Sequence, residues 1–77
     1  MLRIDEDLRN RYVDVFMTVC EELAEKMPEK KMIFRALQRE ATEYNNFPIV
    51  DNLCYIMIDY YDELSDETIR KFVQLRA

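Results

Sequence analysis

Glycine is missing altogether from this chain of 77 residues, where average usage of about 7% would supply about five. Tight hairpins, anion-cradling loops and left-handed helix ends are the places that most need it. Its absence excludes the P-loop and the dinucleotide-binding fingerprint, both of which are built on glycine, and removes the obligatory turn of an EF-hand loop. Histidine is missing as well. That excludes Ser-His-Asp and Cys-His triads and the commonest metal ligand. Cysteine occurs only at Cys20 and Cys54, so a four-thiolate zinc site within one chain is impossible. Two cysteines are also too few for the disulfide framework of a secreted mini-protein. Each lies in an apolar, helix-like run and reads as a small hydrophobe.

Long hydrophobic runs are lacking too. The longest unbroken apolar stretch is Leu53 to Ile58, far short of a membrane span. The first residues, Met1-Leu2-Arg3-Ile4-Asp5, lack the basic-then-apolar build of a signal peptide. A reduced, soluble, cytoplasmic protein is expected, with no cofactor and no membrane partner. The charge balance of 16 acids against 11 bases, net −5, opposes any global attraction to nucleic acid or anionic lipid.

What is present is helical periodicity. The chain is read as one domain over residues 1–77, an all-α compact bundle. Three longer helices are expected at about 5–26, 28–46 and 48–63, and a short fourth at about 66–76. Asp5 is a suitable N-cap for the first, with Glu6 and Asp7 in the first turn. Leu8, Tyr12, Val15, Phe16, Val19, Leu23 and Met27 supply its apolar stripe. Pro28 suits the first position of the second helix, whose inner face is expected to be Ile33, Leu37, Ala41 and Tyr44 with Phe34 beside them. Phe47 precedes Pro48 and is biased away from helical angles.

The third helix carries two apolar stripes, Val50-Leu53-Cys54-Met57-Tyr61-Leu64 and Ile49-Ile56-Tyr60. Together they cover more than half its circumference. Such a helix is either central or meets a second molecule. The fourth has the clearest start: Ser65 caps, Asp66 and Glu67 follow, and Leu64 with Ile69 fits a hydrophobic staple. Ile69, Phe72 and Val73, with Arg76 at the rim, give it a docking face.

Three surfaces stand out as candidates for function. Lys31, Arg35 and Arg39, four residues apart on the second helix, share one face almost opposite Ile33 and Leu37, and Gln38 and Thr42 point the same way. Such a ridge suits phosphates or an acidic partner. Asp59, Asp62, Glu63 and Asp66 belong to an acidic stretch with the makings of a carboxylate metal site. Acids ending the third helix oppose its dipole. Apolar residues outside the main stripes form the third: Val13 and Met17, Met32 and Ala36, Tyr55 and Ile58. Methionine and tyrosine are adaptable interface residues.

The chain is therefore read as a non-enzymatic protein-interaction module, a regulator, inhibitor or adaptor, acting through an apolar and tyrosine-rich helical face. The partner is another protein, itself as a homodimer, or both, with Lys31, Arg35 and Arg39 tuning partner choice. Nucleic-acid binding through the second helix is the alternative reading, and a carboxylate metal site the next.

Overall fold

A computed structural model describes residues 5–75. They form α1 (Glu6–Lys26), a 3-10 turn (Pro28–Lys30), α2 (Lys31–Glu43), α3 (Ile49–Tyr60), a second 3-10 turn (Tyr61–Glu63) and α4 (Asp66–Gln74). No strand occurs among the described residues. The all-α bundle expected from the periodicity is what forms. Arg76, expected at the rim of the fourth helix, lies outside the described residues.

The helix starts follow from local chemistry. The Asp5 side chain accepts the Leu8 amide at 2.8 Å, and the Ser65 hydroxyl accepts the Thr68 amide at 3.2 Å. Each satisfies one of the amides a helix leaves free at its N-terminus.

The helix ends are built differently from the usual glycine cap. Among the described residues no backbone takes a positive φ, so no left-handed residue turns back on the last carbonyls. Bases from α1 do part of that work instead. The Arg9 guanidinium donates to the carbonyls of Tyr44 and Phe47, at 3.1 and 3.4 Å, just beyond α2. The Lys26 ammonium donates to the Glu63 carbonyl at 2.6 Å, where the second 3-10 turn ends. The backbone at the end of the third helical segment thus takes a cationic donor supplied by the chain itself.

The centre of the bundle is α1, not the more apolar α3. It packs against α2, α3 and α4 and buries Val15, Phe16, Val19, Cys20, Leu23 and Ala24. α3 contributes Ile49, Leu53, Ile56 and Met57 to this core and leaves Tyr55 and Ile58 outside it. Edge-to-face ring pairs tie the layers together: Phe16 with Phe47 at 5.6 Å and Phe34 with Tyr60 at 5.5 Å.

α2 is turned by about one residue from the orientation expected of it. Phe34, Gln38 and Ala41 are its buried residues, Leu37 is half-buried, and Ile33 and Tyr44 are exposed. A buried glutamine looks costly, yet both polar atoms of its amide are hydrogen-bonded. Nε2 donates to the Met17 carbonyl of α1 at 3.0 Å, and Oε1 accepts from Arg35 at 3.1 Å. With that cost removed, the larger Phe34 ring takes the core position against Tyr60 and Ile33 turns outward. The second helix also ends earlier than residue 46, because Tyr44 takes an extended backbone. The third segment tightens to a 3-10 turn after Tyr60.

Candidate functional site

Two elements that pack on α1 without packing closely on each other leave a groove between them. On one side α3 and the turn after it present Cys54, Met57, Ile58 and Tyr61, spaced i, i+3, i+4 and i+7 along one face. On the other, α4 presents Ile69, Phe72 and Val73, spaced i, i+3 and i+4. The groove has a volume of about 440 Å³, and these seven residues line it. Met57 is buried at its floor, while Ile58 is 76% exposed, Val73 60% and Tyr61 55%. Among the described residues no charged side chain lines it. Its walls offer mainly apolar contact area, with the Cys54 thiol and the Tyr61 hydroxyl as the polar groups of the described lining.

The groove stays open because α4 is anchored elsewhere. Glu22, on α1, reaches the start of α4. Its Oε1 accepts from the Thr68 hydroxyl at 2.6 Å and the Ser65 hydroxyl at 3.0 Å. Its Oε2 accepts from the Ser65 amide at 2.6 Å and pairs with Lys26 at 3.3 Å. Burial alone would raise the Glu22 pKa, but the Thr68 and Ser65 donors and Lys26 together hold it below the usual carboxylate value. Thr68 is consequently buried, and Leu75, about two turns on, is buried as well. α4 therefore docks on α1 with a polar residue at its heart, not by the Ile69-Phe72-Val73 face alone. Ile69 and Phe72 still touch the core, and Val73 is left in the groove.

The sequence candidates separate accordingly. Ile58 is in the groove, and Tyr55 stands exposed one turn before it on the outer shoulder of α3. Val13 is half-buried and packs against the core. Met17 is half-buried and lends its carbonyl to Gln38. Met32 is 86% exposed on α2, beside the exposed Ile33. Of the basic ridge, Lys31, Arg35 and Arg39 are all exposed. Arg35, however, is paired with Glu21 of α1 and hydrogen-bonded to Gln38. The middle of that ridge is therefore tied to α1 while still exposed, and Gln38, being buried, is not part of it.

Among the described residues, no group of three or more acids or cysteines is placed to hold a metal ion. Asp59, Asp62, Glu63 and Asp66 therefore do not converge on one point. Cys20 is buried, and burial pushes its thiol up to about 12. Cys54 opens on the groove. A second, more open cleft of about 340 Å³ lies between α1 and α4. Its lining mixes Arg11, Asp14, Thr18 and Lys71 with the apolar Val15 and Leu75.

Sequence reasoning placed Cys54, Met57 and Tyr61 on a core stripe. The signal that would have separated the groove from the core is a match between two short stripes: 54-57-58-61 on one element and 69-72-73 on the next. Two such stripes joined by only a few residues either interlock or gape, and here the Glu22 anchor decides for the gap. Among the described residues no helix is long and apolar enough to cross a membrane. Comparison with protein-family models, curated proteins and solved structures finds no match.

Proposed function

We propose that the chain is a non-enzymatic protein-interaction module whose working surface is the apolar groove between α3 and α4. One observation carries this reading. Seven residues, all apolar, aromatic or thiol, line an open groove in which Ile58, Tyr61 and Val73 remain largely exposed. Scattered surface hydrophobes are ordinary, but a contiguous apolar face marks a place where something binds. Tyrosine and methionine at such a face supply area with adaptable packing. Among the described residues the lining sets no carboxylate, ammonium or guanidinium beside the Cys54 thiol and Tyr61 phenol, which favours contact over proton transfer as the work of this surface.

The test is a paired capture from source cells with the native protein and with Ile58→Gln/Val73→Gln. Glutamine keeps helix propensity and removes apolar surface. Proteins retained by the native chain and lost by the variant support the groove. The same proteins held equally by both refute it, provided circular dichroism shows both folded. Light scattering on both proteins reads self-association through the same surface.

A further inference from the structure

The geometry points to the class of partner: a basic amphipathic helix of another protein, laid along the groove. This rests on the reading of the groove as an interaction surface and adds its chemistry.

The length fits a helix. From Cys54 to Tyr61 the α3 wall rises about 10 Å at 1.5 Å per residue. That is the distance between positions i and i+7 of a docked helix, whose i, i+3, i+4 and i+7 side chains are the usual anchors in a groove.

The charge selects its sign. Between residues 40 and 69 the chain has eight acids and no lysine or arginine. The remaining residues carry as many bases as acids or more, so this segment accounts for the whole net negative charge. It contains α3, the turn after it and the first part of α4. Asp51 precedes Cys54 by three residues and Asp62 follows Ile58 by four, which places both on the outer shoulder of the α3 wall. Asp66 precedes Ile69 by three on the α4 wall. All three are exposed, and none forms an ion pair among the described residues. The nearest bases on α4 are Arg70 and Lys71. They stand on the α4 side, so a partner's own bases are directed toward α3 and the Leu64-Ser65 end.

The same distribution disfavours other occupants. Two copies joined groove to groove would bring two such segments within about 8 Å, the screening length at physiological salt, and like charges across an interface cost affinity. Nucleic acid and anionic membranes are repelled by the rim. A basic helix gains on both counts: its apolar stripe fills the groove and its lysines or arginines face the acids. Arginine also stacks on tyrosine rings. Tyr55 and Tyr61 are exposed to receive it, and the chain already sets Lys30 over Tyr60 at 5.1 Å.

The experiment uses two labelled synthetic peptides of about 18 residues, long enough to lie along the groove as a helix. Both carry leucines at i, i+3, i+4 and i+7. One has lysine and arginine on its flanks, and its twin has glutamate at those positions. Fluorescence anisotropy with the full chain is expected to show the basic peptide binding at least about 10-fold more tightly than the twin, a difference of about 1.4 kcal/mol. Raising salt should narrow that gap. Asp51→Asn/Asp62→Asn should weaken the basic peptide several-fold and, by relieving like-charge repulsion, strengthen the twin. Ile58→Gln/Val73→Gln should weaken both.

Equal binding of the two peptides, or preference for the acidic twin, overturns the charge assignment while leaving the groove as an interaction surface. A homodimer that Ile58→Gln/Val73→Gln dissociates and that excludes both peptides overturns it in favour of a second copy. Binding of neither peptide also overturns it. If the variant then also leaves cellular capture and mass unchanged, the groove reading falls with it.

Discussion

Glu22→Gln tests the anchor that holds α4 against α1 and thereby keeps the groove open. The Glu22 carboxylate accepts from the Ser65 amide, the Ser65 and Thr68 hydroxyls, and Lys26. Its side chain is only 18% exposed, so solvent replaces little of what is lost. Glutamine of the same shape can keep an oxygen toward the two hydroxyls. Its amide then faces the Ser65 N–H and the Lys26 ammonium, donor against donor. The loss is one charge-assisted bond, worth roughly 1.5–3 kcal/mol, and one surface pair worth at most about 1 kcal/mol. The expected destabilisation is about 2 kcal/mol at pH 7. For a domain of 77 residues with a total stability of roughly 4–12 kcal/mol, that is a large share. A melting temperature lower by roughly 8–16 °C follows.

The effect has a pH signature. The folded Glu22 pKa is lowered, so its contribution is full above the ordinary glutamate value of about 4.3. It is lost as the pH falls through the lower folded value. Urea unfolding of native protein and variant at pH 7, 5, 4 and 3 should therefore show a gap that closes on the acid side. Adding Thr68→Val to Glu22→Gln should cost less than the two singly, because they share a bond. A gap below about 0.5 kcal/mol at neutral pH, or one that stays constant down to pH 3, would refute the assignment of Glu22 as the anchor.

The remaining expectations concern single residues. In the native protein at pH 8 a thiol reagent should titrate one sulfur, Cys54. Cys20, buried and with its thiol pushed up to about 12, should react only at the rate of unfolding; two fast thiols would contradict the core placement. Arg9→Met should cost about 1 kcal/mol through its two carbonyl bonds and speed amide exchange from Asn45 to Asn52, read by NMR. Ile33→Gln should change stability by less than about 0.5 kcal/mol in urea titrations, since Ile33 is exposed. Phe34→Ala, one position on, should cost about 3–5 kcal/mol, as expected for a buried aromatic.

Much of the architecture was legible because it depends on local rules. Asp5 and Ser65 cap helices because a short polar side chain before an apolar run has that geometry available whatever surrounds it. The rotation of α2 was not legible. Periodicity ranks Ile33 above Gln38 for burial, and only the Met17 carbonyl and Arg35, distant or on the neighbouring turn, make Gln38 acceptable inside. The choice of central helix was hidden for a related reason. Mean apolarity favours α3, but α1 is the longest and offers a face to every other helix. The candidate surface was half visible: Tyr55 and Ile58 stand outside the core as their off-stripe positions suggested. The opposite wall, Ile69, Phe72 and Val73, looked like a docking face until Glu22 drew Thr68 inward.

The way the helix ends are held bears on how the chain folds. A glycine-capped helix can close its last turn from its own neighbours. Here the carbonyls after α2 and after α3 take donors from Arg9 and Lys26, 35 to 38 residues away along the chain. Those joints make local bonds of their own, Phe47 to Tyr44 and Leu64 to Tyr61, but gain these side-chain donors only once α1 is in place beside them. Neither end of α1 can fray without loosening a turn elsewhere, so opening at either end reaches the joint that its base holds. A segment of this protein cut free of its first helix would keep its helical periodicity and its local turn bonds, and lose the donors that brace both joints.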